Sequence, residues 1–226
     1  MQMVLFRGGC AKEQRQPRRA FSLLKRLFDF TVSFMMLVVL LPLLLLVAAV
    51  VAVDTKANPL FVQERVGRGN VRFQMYKFRT MNINAPANVA THKLENPEKY
   101  ISKLGAFLRK SSLDELPQLL NILIGDMSFI GPRPVVPTER DLVGIRSVNG
   151  ANRVRPGLTG WAQVNGRDGV PVTEKAMLDA YYARHFSFKM DWLVIRRTLR
   201  CVLRSEGVIE GANPEISSRH SSRRSA

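Results

Sequence analysis

The run "FTVSFMMLVVLLPLLLLVAAVVAV", Phe30 to Val53, constrains this chain more than any other feature. It is 24 residues long and contains no charged side chain, whereas a helix needs about 20 apolar residues to cross the hydrocarbon core of a bilayer. The run is too long and lies too far along the chain to be a signal-peptide core, and no small-residue cleavage site follows it. We therefore expect the protein to contact a membrane.

Basic residues flank this run on both sides. They are Arg15, Arg18, Arg19, Lys25 and Arg26 before it, and Lys56, Arg65 and Arg68 after it. Lys and Arg are enriched on the cytoplasmic side of membrane helices. A helix that enters the membrane, bends at Pro42 and returns to the same face satisfies both flanks. A kinked single-pass helix is the alternative, because prolines are tolerated in transmembrane helices.

The charge of the chain predicts anionic partners. Lys and Arg number 34 against 18 Asp and Glu, which gives a formal net charge of +16 at pH 7. Phosphorylated small molecules and an anionic lipid surface both suit such a protein. The sequence contains no nucleic-acid-binding signature, so we expect no nucleic acid partner. Cys10 and Cys201 lie far apart, which favours a reducing cytosolic setting over a disulfide framework.

The rest of the chain predicts an α+β fold that is mainly helical. Alternating apolar residues between Pro59 and Met81, around the turn "GRGN", predict a short β-hairpin. Helical spacing predicts helices over about 100–110, 114–124, 173–186 and 189–205. The last is amphipathic, with Trp192, Ile195, Leu199 and Val202 on one face. Such a helix suits an anionic membrane surface, or equally a helix that docks on the core with a solvated basic side.

Four segments follow from this division of the chain. Residues 1–21 are predicted to be a basic flexible arm, and residues 22–57 a re-entrant membrane helix with its flanks. Residues 58–206 are predicted to form a cytosolic catalytic domain. The tail at 207–226, rich in Ser and Arg, is predicted to be flexible.

The stretch "RKSSLDELPQLLN" places Asp114 and Glu115 side by side in this basic chain. In one interpretation Ser112 and Glu115 form a capping box at a helix start. Pro117 argues against it, because it would fall inside the helix, where it lacks a needed N–H. If the helix begins at Asp114 instead, Pro117 falls in the first turn, where main-chain amides are unpaired anyway.

Two carboxylates at a helix start, among cationic groups, suggest phosphoryl transfer. The helix dipole favours their ionised forms, and an ionised carboxylate can act as a nucleophile toward phosphorus. Mg²⁺ is commonly held by one or two carboxylates together with substrate phosphates. We therefore expect Mg²⁺ as a cofactor, with Glu115 and Asp114 as its candidate ligands.

These residues lie within longer motifs. The stretch "SSLDELPQLLNILIGDMSFIGPRP" closely resembles the signature of the bacterial sugar transferases, the monotopic polyprenyl-phosphate phosphoglycosyl transferases. "YKFRTM" (76–81) and "RPGLTGWAQVNGR" (155–167) resemble two further motifs of that family, in the same order. "KRLFDF" and the proline-broken apolar run are similar to its membrane segment, and the resemblance covers about residues 22–205. In size the chain is similar to the small members that start exopolysaccharide repeat units, such as galactosyl- or glucosyl-phosphate transferases.

The resemblance implies a reaction in two steps. Asp114 would attack the β-phosphate of a UDP-sugar and release UMP, and undecaprenyl phosphate would then attack the phosphosugar held on Asp114. Glu115 would help to hold Mg²⁺ and orient the site. The basic residues that match the family motifs, and are predicted to bind phosphate or nucleotide, are Arg109, Arg133, Lys77, Arg79 and Arg155.

Several of these assignments have structural alternatives. "GPRP" around Arg133 could simply build a rigid loop, and Lys77 and Arg79 could face lipid headgroups from a strand edge. Gly157 and Gly160 are expected to shape the nucleotide end of the site. Trp161 could stack on uracil or belong to the core.

The resemblance also implies the setting. The expected location is the bacterial inner membrane, with the active site on its cytoplasmic face. The expected partners are a UDP-sugar, undecaprenyl phosphate and membrane lipids, with a homodimer and downstream glycosyltransferases as further possibilities. A non-catalytic membrane-anchored scaffold, or a basic protein that binds anionic ligands, is the alternative, and in a scaffold the carboxylates would only cap a helix.

Overall fold

The computed structural model describes residues 19–85, 97–166 and 170–203. The predictions for residues 1–18 and 204–226, which include most of the arm and the whole tail, lie outside these ranges, whereas residues 19–21 of the predicted arm are helical. The helices are α1 (Arg19–Thr55), α2 (Lys103–Lys110), α3 (Gln118–Ile124), α4 (Arg140–Asn149), α5 (Trp161–Gly166), α6 (Val172–Arg184) and α7 (Phe188–Leu203). The strands are β1 (Leu60–Val66), β2 (Arg72–Phe78), β3 (Ser128–Ile130) and β4 (Gly157–Thr159). The α+β, mainly helical prediction is confirmed.

The predicted hairpin is formed by β1 and β2, which pair antiparallel from Leu60–Phe78 to Val66–Arg72. Gly69 in the connecting turn has a φ of 65°, a conformation that glycine adopts without strain. On β2, Phe73 and Met75 point into the protein and are buried. The alternation in the sequence therefore identified the core-facing side of this strand correctly.

A second, parallel strand pair was not predicted. β3 lies within "GDMSFIGPRP" and pairs with β4, so that Ser128 lies opposite Gly157 and Ile130 opposite Thr159. Each strand has only three residues, which is too few for an alternating pattern to be recognised in the sequence. The pair brings the loop after β3 next to the segment around β4.

The long apolar run belongs to α1, which contains 37 residues and is about 55 Å long. Pro42 lies inside it without interrupting the helix, because a proline removes one hydrogen bond and leaves the turns on either side helical. The predicted break at Pro42 is therefore not seen as a gap in the helix. Re-entry into the same membrane face stays a prediction.

One face of α1 packs on the rest of the protein along its length. Met36, Leu37 and Leu40 contact a buried cluster that includes residues of β2 and α3. Nearer the end of the helix, Val47 and Val51 are buried against Phe78 and Leu108. Toward its start, the same face carries buried polar residues, namely Lys25, Asp29 and Ser33. The spacing of about four residues places all of them on one side of the helix.

The other face of α1 is exposed and apolar. Only 11% of its most apolar 18-residue window is buried in the protein, so α1 is not a core helix of the ordinary buried kind. Its exposed large side chains include Leu24, Phe28, Met35, Val39 and Leu46. By length and composition the helix is able to cross a membrane.

Polar contacts hold both ends of α1 against the rest of the protein. Near the start, Lys25 forms a buried ion pair with Asp191 of α7 at 2.6 Å. At the next residue, the guanidinium of Arg26 donates to the carbonyl oxygens of Ile122 and Leu123 at 2.6 and 2.7 Å. Near the end, the hydroxyl of Ser102 donates to Asp54 at 2.6 Å.

The last two helices lie close to their predicted ranges. In α7, Met190 and Val194 are buried, whereas Trp192 and Leu199 are exposed. The helix therefore docks on the core with one face and presents part of its predicted apolar face to the outside. Contact of that exposed face with a membrane surface stays a prediction.

Candidate active site

The carboxylate pair lies on a single 3-10 turn, Leu113–Glu115, rather than in an α-helix. The predicted helix over 114–124 is therefore divided, since α3 begins only at Gln118 with Pro117 as its N-cap. Pro117 has no N–H to donate, which suits this boundary position. Ser112 has a left-handed φ of 57° and makes no side-chain capping bond, so the capping-box interpretation is wrong.

Glu115 is held by two cations. Its Oε1 accepts from Lys77 Nζ at 2.8 Å and from Arg133 Nη2 at 3.2 Å. Burial by itself would raise the pKa of Glu115, but the charges and hydrogen bonds of Lys77 and Arg133 outweigh it and lower the pKa to about 2. Glu115 is therefore ionised at neutral pH. The neighbouring Asp114 is buried as well, with 6% of its surface exposed.

Asn121 joins the strand that carries Lys77 to the helix that follows the carboxylates. Its Oδ1 accepts from the main-chain N–H of Tyr76 at 3.0 Å, and its Nδ2 donates to the carbonyl oxygen of Gln74 at 2.6 Å. Asn121 is fully buried. It thereby sets the position of β2 against α3, a function that the sequence analysis missed.

The loop that carries Arg133 is held through its main chain. The N–H of Gly131 donates to the carbonyl of Thr159, and the N–H of Gly157 donates to the carbonyl of Pro132, both at 2.9 Å. On the other side, Arg146 Nη1 donates to the carbonyl of Arg133 at 3.0 Å. The Arg133 loop is thus fixed at three consecutive residues.

Gly157 and Gly160 make this packing possible. A Cβ on Gly157 would lie 2.1 Å from the main-chain nitrogen of Gly131. A Cβ on Gly160 would lie 2.1 Å from the carbonyl oxygen of Gly131. Real Cβ atoms do not approach main-chain atoms so closely. The two glycines, which were expected at the nucleotide end of the site, directly contact the loop that carries Arg133.

Arg109 and Gln118 each bury a donor that lacks a partner within the described residues. Arg109 Nε donates to Thr80 Oγ1 at 2.8 Å, but its Nη1 is buried without a hydrogen bond. Gln118 is 2% exposed and its Nε2 is likewise without a partner. Because an unsatisfied buried donor costs free energy, both groups are suited to meet the oxygen atoms of a ligand.

Other predicted residues have their described contacts elsewhere. Arg79 Nε donates to the carbonyl of Asn58, and Arg155 Nε donates to the carbonyl of Gly125, just after α3. Trp161 stacks with Tyr181 at 5.7 Å between ring centroids, and the guanidinium of Arg197 lies 4.4 Å from its ring. Trp161 is thus part of a packed cluster, in line with the core alternative.

Comparison with known proteins identifies the family. The family model described as "Bacterial sugar transferase" matches residues 20–205, which include α1, both strand pairs and the carboxylate turn. The chain belongs to the bacterial sugar transferase family. The resemblance found in its motifs is therefore confirmed over most of the chain.

Relatives of this bacterial sugar transferase include both short and long proteins. It is 39% identical over 188 residues to the uncharacterized sugar transferase EpsL of Bacillus subtilis, covering 82% of this chain and 90% of EpsL. It is 37% identical over 198 residues to the exopolysaccharide production protein ExoY of Rhizobium meliloti, covering 81% and 87%. With the undecaprenyl-phosphate glucose phosphotransferase of Komagataeibacter xylinus the identity is 38% over 200 residues, covering 83% of this chain but only 37% of that longer protein.

The donors at the carboxylate turn of this bacterial sugar transferase limit how it could hold Mg²⁺. Within the described residues no group of three or more His, Cys, Asp or Glu side chains could enclose a metal ion. Two adjacent carboxylates are enough for Mg²⁺ only when substrate phosphates and water complete its oxygen ligands. The residues therefore fit an ion that arrives with a phosphorylated substrate, and not a metal held by the protein alone.

Proposed function

We propose that this bacterial sugar transferase moves a sugar-1-phosphate from a UDP-sugar to undecaprenyl phosphate and releases UMP. The observation that carries the proposal is the pair Asp114–Glu115, with Glu115 clamped by Lys77 and Arg133. The names of relatives support the acceptor and the chemistry, because they include undecaprenyl-phosphate glucose and galactose phosphotransferases. The proposed product starts an exopolysaccharide repeat unit, and the proposed sugar is galactose or glucose.

Asp114 is the proposed nucleophile of the first step. A carboxylate oxygen of Asp114 forms a bond to the β-phosphorus of the UDP-sugar, and the bond from that phosphorus to the bridging oxygen breaks, so that UMP leaves with the electron pair. Glu115 is the weaker candidate for this attack, because a carboxylate with a pKa of about 2 and two cations on one oxygen is a poor nucleophile. In the second step an oxygen of undecaprenyl phosphate attacks the same phosphorus and Asp114 is released.

Basic side chains are proposed to bind the phosphates during both steps. Arg133 and Lys77 lie at Glu115, and the unpartnered Nη1 of Arg109 and Nε2 of Gln118 can donate to phosphate oxygens. Mg²⁺, held by Asp114 and Glu115 together with the substrate, would supply charge neutralisation at the phosphate oxygens. The protein's own contribution is to hold the nucleophile and these donors in fixed positions.

The proposed setting is the cytoplasmic face of the bacterial inner membrane, with α1 entering and leaving on one side. Contacts at both ends of α1 support this topology, because Lys25 and Asp54 lie 29 positions apart and both bind the same domain. A helix that carried its two ends to opposite sides of a bilayer could not keep both contacts. A homodimer and downstream glycosyltransferases are also proposed as partners, because the chain belongs to the bacterial sugar transferase family.

The test is UMP release by the full chain held in nanodiscs, with undecaprenyl phosphate, Mg²⁺ and a panel of UDP-sugars. We expect UMP release with one donor only. In Asp114→Asn the rate of UMP release should fall by about three orders of magnitude or more. Exchange of labelled UMP into the UDP-sugar without any lipid acceptor is expected if the phosphosugar is bound to Asp114. Full activity of Asp114→Asn would leave the carboxylates a structural role, as in the scaffold alternative.

A further inference from the structure

A cleft lies where the first part of α1 meets the rest of the protein, and we name it the α1 cleft. Its walls come from α1, the turn of the β1–β2 hairpin, the start of β3 and the segment that leads into β4. The hydroxyl and basic side chains that line it are Ser22, Lys25, Arg68, Ser128, Arg153 and Arg155. None of these residues belongs to the Lys77–Glu115–Arg133 cluster.

The α1 cleft has an excess of positive charge in its lining. Lys25 is neutralised by Asp191 at 2.6 Å. Asp29 is the one carboxylate that lines the cleft within the described part of the chain, and its Oδ1 accepts a hydrogen bond from the N–H of Phe129 at 3.3 Å. The lining therefore contains three arginines, Arg68, Arg153 and Arg155, and one carboxylate.

Two of these arginines repel each other. Arg155 is half-buried, and burial together with the positive charges of Arg26 and Arg68 lowers its pKa, while Asp29 acts in the opposite direction. Arg68 is exposed on the hairpin turn, and its side chain makes no hydrogen bond or ion pair with any residue in 19–85, 97–166 or 170–203. An anion bound between the arginines would relieve this repulsion.

The donors that surround the α1 cleft match one class of anion. Guanidinium groups present parallel N–H donors that suit the oxygens of phosphate, and the hydroxyls of Ser22 and Ser128 can add further hydrogen bonds. We propose that the α1 cleft binds a phosphate group, carried by a membrane lipid headgroup or by a soluble phosphate, and that this group is separate from the reacting phosphates.

The surroundings of the cleft are suited to a lipid. Leu23 and Leu24, beside Ser22 on α1, are exposed. The ring of Phe21 packs edge-on against Phe186 and Phe188, each at 4.6 Å between centroids. A headgroup phosphate in the cleft would therefore have apolar surface beside it for the acyl chains.

The test removes two charges from the rim of the cleft. In Arg68→Gln/Arg153→Gln both exposed arginines lose their charge. The matched control is Arg72→Gln/Arg140→Gln, which removes the same charge from two exposed arginines that do not line the cleft. Binding is measured on the full chain without substrates, so the result does not depend on the proposed reaction.

Two arms distinguish the source of the phosphate. In the first, delipidated protein in neutral detergent is titrated with inorganic phosphate at constant ionic strength, and the melting temperature is followed. In the second, protein extracted from phosphatidylglycerol-containing nanodiscs is examined by native mass spectrometry for retained lipid. In whichever arm the wild type responds, we expect apparent affinity to fall about tenfold or more in the cleft variant and to stay unchanged in the control.

Each outcome has a definite meaning. A response to inorganic phosphate that the cleft variant loses assigns the site to soluble phosphate, and it assigns the site to headgroups as well when lipid retention is lost in the same variant. If the wild type retains lipid but does not respond to inorganic phosphate, and the cleft variant loses the lipid, the site is assigned to headgroups. Equal responses of wild type and cleft variant, or no response of the wild type in either arm, would overturn the proposal.

Discussion

Arg146 and Asp179 form an ion pair inside the protein, with Nη2 at 2.5 Å and Nε at 2.9 Å from the same carboxylate oxygen. Both residues are buried. Because Arg146 also donates to the carbonyl of Arg133, the pair connects α4 and α6 to the loop whose Arg133 side chain contacts Glu115. The contact is therefore part of the support of the candidate active site.

Arg146→Met is expected to lower the free energy of unfolding by about 3–5 kcal/mol, because it leaves the Asp179 carboxylate buried without its cation. The double variant Arg146→Met/Asp179→Leu should recover part of this loss, since no unpaired charge remains. Urea unfolding of the three proteins in detergent measures the difference. A double variant no more stable than the single one would contradict this account.

The ion contacts of Glu115 predict a pH dependence of stability. The pKa of Glu115 falls from 4.5 in the unfolded chain to about 2 in the folded protein, so its ionised form stabilises the fold above about pH 4.5. This contribution, roughly 3 kcal/mol, is lost as the pH falls from about 4.5 toward 2. Glu115→Gln should be less stable than the wild type at neutral pH and approach it near pH 2. A constant difference across that window would show that the charge of Glu115 is not the cause.

Gly157 and Gly144 offer a matched pair of alanine substitutions. Gly157→Ala places a Cβ 2.1 Å from a main-chain nitrogen and should lower the free energy of unfolding by about 2 kcal/mol or more. Because the Arg133 loop must then shift, the variant should also lose UMP release. Gly144→Ala meets no atom within 4 Å and lies inside α4, so it should raise stability by up to about 1 kcal/mol. Thermal unfolding and UMP release are measured on both. Equal stability of the two variants would argue against close packing at Gly157.

The topology of α1 can be tested with single cysteines. Ala20→Cys and Leu60→Cys, each in a background with Cys10 and Cys201 changed to Ser, place one thiol on either side of the apolar run. Both should react with a membrane-impermeant reagent from the same side of sealed vesicles. Labelling from opposite sides would establish a single pass and end the re-entrant proposal.

Local patterns in the sequence predicted most of the regular elements. The alternation around Phe73 and Met75 identified the hairpin, and helical spacing identified α2, α6 and α7. The division of the 114–124 segment into a 3-10 turn and α3 was missed, although Pro117 marks its position. The spacing of apolar residues there fits one helix, and only the hydrogen bonds reveal two pieces.

The supports of the site could not be predicted in the same way. Asp114 and Glu115 stand out because adjacent carboxylates are unusual in a basic chain. Asn121 and Arg146 do not stand out, since their partners Gln74 and Asp179 lie 47 and 33 residues away. Such contacts follow from the packing of distant elements, which no local pattern records.

The hydrogen bonds from Arg26 to carbonyls near the end of α3 have a geometric consequence for the proposed reaction at a membrane. α3 has seven residues and is about 10 Å long. The carboxylates lie just before its first residue, and the basic start of the apolar helix grips its other end. In the proposed reaction α3 would act as a spacer of two turns that sets the distance between the reacting groups and the start of α1. A water-soluble donor and a lipid phosphate held in the membrane would then meet at one constant depth.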